Sequence, residues 1–184
     1  MRSLEQDGCI ALATATTGIA AQLLNLGRTF HSRFKAHIHP TEDNTLNIPA
    51  QGNLAKLVCY CRLLLIYEAS MLHRFYLEAL DVTLRDLMEK PDTPFGGKVI
   101  VMAGDFRQCL PVVPGASRAQ ITKICINHSH LWQHFQVLSL TVNMRVRNNR
   151  VNDIIDPVLE EFDSWTLSIG DGLDINIDGQ ISIL

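Results

Sequence analysis

The chain of 184 residues has little of what marks several large protein classes. Its five cysteines, Cys9, Cys59, Cys61, Cys109 and Cys125, are odd in number, scattered, and free of any C-x-x-C pair. That argues against a disulfide framework and reads as reduced thiols in an intracellular protein. No apolar run approaches the roughly 18 residues of a membrane span. The apolar stretch "CIALATATTGIAAQLL" follows Glu5 and Asp7 with only Arg2 as a base, which is the wrong lead-in for a secretory signal. Basic residues are not in excess, since 16 Lys and Arg face 19 Asp and Glu for a formal net charge of -3. No general field therefore draws the chain to polyanions, and any nucleic-acid contact must come from a local groove. Internal repeats and low-complexity tracts are also missing. What remains, 47% hydrophobic and 19% charged, has the composition of a globular domain with a real core, or of part of a larger one.

Four short apolar runs read as strands: "CIALATAT" (9–16), "RLLLIY" (62–67), "KVIVMAG" (98–104) and "QVLSLTV" (136–142). Three are nearly continuous rather than alternating, which suits parallel strands buried on both faces. Between the second and third, Leu72, Phe75, Tyr76, Ala79, Leu80, Leu84, Leu87 and Met88 recur at helical steps and make one apolar face. Ser70 is the expected N-cap of that helix. "PDTPFGG" (91–97) then breaks the chain before the next strand. Strand, helix, turn, strand is a parallel crossover unit, so the predicted class is α/β. Farther on, "VNDIIDPVLEEF" (151–162) reads as a helix interrupted by Pro157, and the Asp-Gly pairs after it favour a hairpin.

In parallel sheets, ligands bind at the carboxyl ends of the strands. The residues there are Thr16-Thr17-Gly18, Tyr67-Glu68, Gly104-Asp105-Phe106-Arg107-Gln108 and Asn143-Met144-Arg145, a polar set suited to phosphate chemistry. "LLLIYEAS" (63–70) is the most telling, because a buried strand ending in an acid is how many nucleotide-hydrolysing enzymes present a carboxylate to magnesium and water. Such strands usually end in two acids, and here Tyr67 takes the first place. "CINHSHLWQH" (125–134) sets His130 and His134 one helical turn apart, but zinc wants four placed ligands, and a surface helix is the plainer reading.

"ALATATTGIAAQLL…GRTFHSRFK", "LLLIYEASMLHRFYLEALDVTLRD", "PFGGKVIVMAGDFRQCLPVVP" and "LWQHFQVLSLTVNMR" occur in that order and span nearly the whole chain. Together they resemble the PIF-type (petite integration frequency) ATP-dependent DNA helicases, especially the form carried by Helitron-like transposons. The resemblance implies a RecA-like parallel sheet flanked by helices, of the P-loop NTPase type. It implies a motor that hydrolyses ATP with Mg2+, moves 5′-to-3′ on single-stranded DNA and unwinds duplex DNA. Nuclear roles in DNA repair, recombination and telomere maintenance come with it. A small-molecule kinase on a similar sheet would not account for "GDFRQCLPVVP" or "LTVNMR".

Carried over residue by residue, the resemblance implies that Glu68 orients and deprotonates the attacking water. Glu68 is also the carboxylate left to face magnesium, because Tyr67 stands where the family has Asp. A phenol with an ordinary pKa of about 10 is neutral at pH 7 and offers the metal no charge. Gln108 matches the sensor of the gamma-phosphate, with Gly104 and Asp105 beside it as nucleotide-binding candidates. Arg145 matches the arginine that reaches the gamma-phosphate, where a guanidinium spreads over the transferring charge. Thr16, Thr17, Gly18, His31 and Ser32 match the segment that contacts single-stranded DNA. Phe30 is either a base-stacking ring or a core aromatic.

The phosphate-cradling loop G-x-x-x-x-G-K-[ST] is nowhere in the sequence. In the family it precedes the strand that begins near Cys9. The expected organisation is therefore a partial motor domain over 1–148, truncated before that loop, and a helix plus hairpin over 149–184 leading toward a second motor domain. Two functional readings follow: an ATP-dependent helicase domain present as a partial or degenerate copy, or a non-catalytic remnant that binds nucleic acid or a partner.

Overall fold

In the computed structural model, which describes residues 9–148 and 157–173, three of the four apolar runs become strands and join a short strand that the sequence did not announce, Arg28–Thr29, in a parallel four-stranded sheet of order β2-β1-β3-β4. The strands are β1 (Ile10–Ala15), β2 (Arg28–Thr29), β3 (Cys61–Tyr67) and β4 (Val99–Ala103). Helices connect and flank them: α1 (Gly18–Gln22), α2 (Phe30–Phe34), α3 (Asn53–Tyr60), α4 (Arg74–Leu87) and α5 (Arg118–Ile124). The chain falls into two compact units, residues 1–135 and 136–184, and this sheet belongs to the first. In the second unit are α6 (Met144–Asn148) and α7 (Pro157–Gly170), with Pro157 in the first turn of α7, where its missing N–H costs nothing. The predicted hairpin lies mostly outside the described residues.

Register places Leu12, Thr14, Leu64, Ile66, Ile100 and Met102 on one face of the sheet. That face carries the main core, where Leu64 and Ile66 pack with Phe30 and Phe34 of α2, Val58 of α3, and Leu77, Leu80 and Leu84 of α4. Thr14 is fully buried there, and its hydroxyl donates to the Leu65 carbonyl at 2.8 Å. The opposite face does not match the expectation of strands buried on both sides. Ala15 packs under Ala20 and Ala21 of α1, with Leu24 and Tyr67 alongside, but Val99 and Val101 of β4 stay 58% and 42% exposed. A continuous apolar run shows that a strand is apolar on both sides, while coverage depends on which helices are there to pack on it.

The long helix forms where its apolar spacing predicts, yet Ser70 is not its cap. Glu68 adopts a left-handed backbone (φ 56°, ψ 41°), Ala69–Met71 make a single 3₁₀ turn, and Leu72 is extended. The helix starts only after His73, whose Nδ1 accepts from the Phe75 N–H at 3.1 Å. Residues 136–142, expected to be a strand, form no ladder among the described residues, and Leu138 and Leu140 are exposed. β-propensity alone cannot make a strand, since its N–H and C=O groups need a neighbouring chain. The segment 125–134 folds as short 3₁₀ turns that bury Ile126 and Leu131, not as a surface helix.

Asp81 of α4 is buried, forms an ion pair with Arg85 at 2.8 Å and accepts the Phe95 N–H. It thereby ties the turn before β4 to the helix. Asp81→Ala leaves that amide without its acceptor and the guanidinium with the Pro91 carbonyl alone, and about 3 kcal/mol of stability should be lost in urea denaturation.

His31 and His73 both have pKa values pushed below 6.5, mainly by burial and, for His73, also by the neighbouring Arg74 charge. The unfolded chain therefore binds protons before the folded one does. Stability should be complete above about pH 6.5 and decline as pH falls below it. His73→Asn, which still caps a helix, should flatten that decline in thermal melts recorded between pH 7 and 5.

Candidate active site at the carboxyl edge of the sheet

The parallel register aligns the strand ends. Ala15 pairs with Tyr67 and Tyr67 with Ala103, so Thr16, Glu68 and Gly104 stand side by side along one edge. β2 ends at Thr29 beside Ala15, which brings His31 and Ser32 at the start of α2 to the same edge. Topology thus gathers Thr16, Thr17, Gly18, His31, Ser32, Glu68, Gly104, Asp105 and Gln108 within the first unit. Arg145 belongs to the second.

Glu68 is half-buried and sits on the left-handed turn after β3. That backbone costs a non-glycine residue about 1–2 kcal/mol. The turn is held from both sides. From β1, the Thr16 N–H donates to the Tyr67 carbonyl at 3.1 Å and the Thr16 hydroxyl to the Glu68 carbonyl at 2.8 Å. The Glu68 carbonyl also takes the Met71 N–H at 3.1 Å. From β4, Gly104 comes so near that an added Cβ would lie 2.7 Å from the Ser70 nitrogen and 3.0 Å from that of Ala69. Glycine at 104 is thus required by the approach of the β4 end to the Glu68 turn. Ser70 buries its hydroxyl beside Gly104 with no hydrogen-bond partner among the described residues.

Beyond Gly104, Asp105 organises its own loop. Its Oδ1 accepts the Arg107 N–H at 2.9 Å, and its Oδ2 accepts from Gln108 Nε2 at 3.2 Å. The Gln108 amide keeps a second N–H and its carbonyl for other partners, and the side chain is exposed. In the second unit, the Asn143 side-chain oxygen accepts the Arg145 N–H at 3.0 Å, while its amide donates to Asp163 at 2.6 Å. Asn143 therefore caps α6 and presents Arg145, which is exposed, in the first turn.

On the other side of Glu68, Thr17 is extended and caps α1 by accepting the Ala20 N–H at 3.2 Å. Gly18 is exposed, and an added Cβ would meet nothing within 4 Å. Nothing among the described residues requires glycine there. Phe30 is 0% exposed and packs against Phe34 and Tyr76, so it is a core ring and not a base-stacking one. The His31 ring rests edge-on against Tyr76 at 4.7 Å. Arg33 donates to the Leu26 carbonyl at 2.6 Å and is thereby tied to the loop before β2.

Tyr67 is explained by packing. Its side chain leans on the alanine face beneath α1, on the side of the sheet away from the main core. The donor set does not make a resident magnesium centre: among the described residues no three His, Cys, Asp or Glu side chains cluster to hold a metal ion. Glu68 supplies a single carboxylate, Tyr67 a neutral phenol, and Asp105 is occupied by its own loop.

A model of the PIF1-like helicase family matches residues 1–179. The chain belongs to that family. The ATP-dependent DNA helicase RRM3 of Saccharomyces cerevisiae is 32% identical over 149 residues, 79% of this chain and 20% of the relative. The ATP-dependent DNA helicase Pif1 of a Psychrobacter species is 40% identical over 101 residues, 54% of this chain and 15% of the relative. Among solved structures, Bacteroides Pif1 bound to single-stranded DNA superposes with a TM-score of 0.74 at 27% identity, covering 94% of this chain and 39% of that one. Bacteroides Pif1 with ADP-AlF3 and single-stranded DNA does so with the same score and identity, covering 96% and 39%. This PIF1-like chain thus spans about a fifth of the yeast relative's length. The sheet and its flanking helices are those of the RecA-like domain, as the sequence motifs imply. No helix among the described residues is long and apolar enough to cross a membrane.

Gly104 and Gly18 differ in what surrounds them. Gly104→Ala should cost about 1–3 kcal/mol in chemical denaturation, because its Cβ meets backbone rather than a side chain that can swing away. Gly18→Ala should fall within about 0.5 kcal/mol of the parent. Equal effects at the two positions would contradict the packing described for the β4 end.

Proposed function

We propose that this chain carries the water-activating, phosphate-sensing and strand-contacting parts of a motor that couples ATP hydrolysis to movement along single-stranded DNA. The observation that carries the reading is the held left-handed turn, which presents Glu68 beside the Gln108 loop at the carboxyl edge of a parallel sheet. Glu68 would take the proton of the attacking water, since a carboxylate at the mouth of a nucleotide site is a base of suitable strength. Gln108 would hydrogen-bond the terminal phosphate, and Arg145 would stabilise the charge that spreads over it during transfer. Magnesium would arrive with the nucleotide as part of the substrate. In the strand-contacting segment of Thr16, Thr17, Gly18, His31 and Ser32, the Thr16 hydroxyl is already donated to the Glu68 carbonyl, and the remaining hydroxyls and backbone N–H groups would take phosphate oxygens without a basic patch. Unwinding in the 5′-to-3′ direction, nuclear location and service in repair, recombination and telomere maintenance belong to the same reading, supported by the family.

A second reading is favoured by two observations. Tyr67 removes the charge expected beside Glu68, and the 184 residues contain no phosphate-cradling loop to hold the beta- and gamma-phosphates. On that reading the chain binds single-stranded DNA without turning over ATP.

The chain should bind a fluorescein-labelled oligothymidylate in anisotropy titrations, with affinity falling as salt rises. Gly18→Ala should weaken binding several-fold without loss of stability; undiminished affinity, or no binding by the parent, would sink the strand-contacting assignment. ATP turnover by residues 1–184 should not exceed that of Glu68→Gln. Tyr67→Asp should restore DNA-stimulated hydrolysis only in a chain that also carries a G-x-x-x-x-G-K-[ST] loop; restoration without the loop would contradict the placement of the phosphates.

A further inference from the structure

The two threonines that open the strand-contacting segment do different jobs. Thr17 faces forward, capping α1 through its oxygen, so its O–H remains free to donate outward. Thr16 faces back. Its N–H and its only hydroxyl proton are both committed to the turn after β3, on the Tyr67 and Glu68 carbonyls. The Glu68 carbonyl receives two donors, Thr16 Oγ1 and the Met71 N–H, which fills both of its lone pairs. Glu68 itself holds a left-handed backbone that a glutamate does not adopt without support.

We infer that Thr16 is a positioning residue, a hydrogen-bonded strut through which the strand-contacting segment sets the backbone of Glu68. The inference rests on the proposed function for its purpose, but its geometry stands without it. Any ligand that fixes Thr17 and Gly18 also fixes the residue before them. Thr16 then transmits the constraint across the β1–β3 ladder to the carboxylate that faces the water. Single-stranded DNA would thereby narrow the orientations open to Glu68 with no displacement of the sheet. Thr16 is not itself a strand contact, because its hydroxyl proton is already used.

The Met71 amide reports on this strut directly, since it shares the Glu68 carbonyl with Thr16. Hydrogen exchange of residues 67–72 is measured in the chain, in Thr16→Val and in Thr16→Ser, with and without oligothymidylate. Helix α4 serves as an internal standard for global stability. In Thr16→Val, exchange at Met71 should rise about three- to tenfold, the protection expected from a hydrogen bond of ordinary net strength. Protection in α4 should stay unchanged, and Thr16→Ser should behave as the parent. Oligothymidylate should slow exchange at Met71 in the parent and in Thr16→Ser but not in Thr16→Val, whose DNA affinity should stay within about twofold of the parent. Unchanged Met71 exchange in Thr16→Val overturns the strut. A tenfold loss of DNA affinity in that variant overturns it in favour of a direct contact. If Thr16→Val lowers protection throughout α4, the judgement passes to Thr16→Ala, for which uniform loss again refutes a local role. Failure of the parent to bind oligothymidylate refutes the strand-contacting reading alone, because the DNA-free exchange still decides the strut.

Discussion

The site depends on a single crowded backbone turn. Glu68 lies where β3 ends, in a conformation that is unfavourable for its side chain, and it stays there because neighbouring strands hold it. Thr16 grips the turn by hydrogen bonds from β1, and Gly104 presses against it from β4 with no room for a methyl group. Neither contact would exist without parallel pairing in register, which brings the three strand ends level. The sheet therefore acts as a jig. It converts burial of Leu64 and Ile66 on the core face into a fixed backbone position for Glu68 at the carboxyl edge.

In the role proposed for Glu68, a strained residue supported from both sides would suit a base that must hold a water molecule in one place. Orientation is most of what a protein contributes to phosphoryl transfer, because little covalent chemistry falls to its side chains. The Asp105 loop follows the same logic at the next strand end. The carboxylate folds its own loop through Arg107 and Gln108, so the exposed glutamine is held at its amide rather than waving from a free loop. In the second unit Asn143 accepts the Arg145 backbone N–H and so fixes the start of α6, not the guanidinium.

Tyr67 shows how packing and chemistry can part company at one position. As a strand residue it is well placed, with its ring against the small side chains beneath α1. Beside the proposed nucleotide it would bring neither charge nor a small footprint. The fold tolerates the residue because the face of the sheet that receives it is thinly covered, as the exposed Val99 and Val101 show.

Three strands, the long helix and the family were legible in the sequence, because contiguous apolar runs, helical spacing and ordered motifs are local signals. So were the residues that follow β1, β3 and β4 at the carboxyl edge, since strand direction follows from the crossover pattern, but not Asn143 to Arg145, whose expected strand does not form and which belong to the second unit. What lay beyond the sequence was relational. That Ser70 would be buried rather than cap a helix followed from the left-handed turn at Glu68, a conformation that no residue type there announces. That Phe30 would be core was decided by Phe34 and Tyr76, one of them far along the chain. The apolar letters of 136–142 suggested a strand, but a strand is a property of two chains in contact, and no partner pairs with it among the described residues. Thr16 looked like one hydroxyl in a polar run, and only the register of β1 on β3 aimed it at Glu68. The sequence by itself determined which residues could be buried and which chemistry was on hand. The tertiary structure decided which atoms face one another, because hydrogen bonds and close packing join residues that the chain keeps apart.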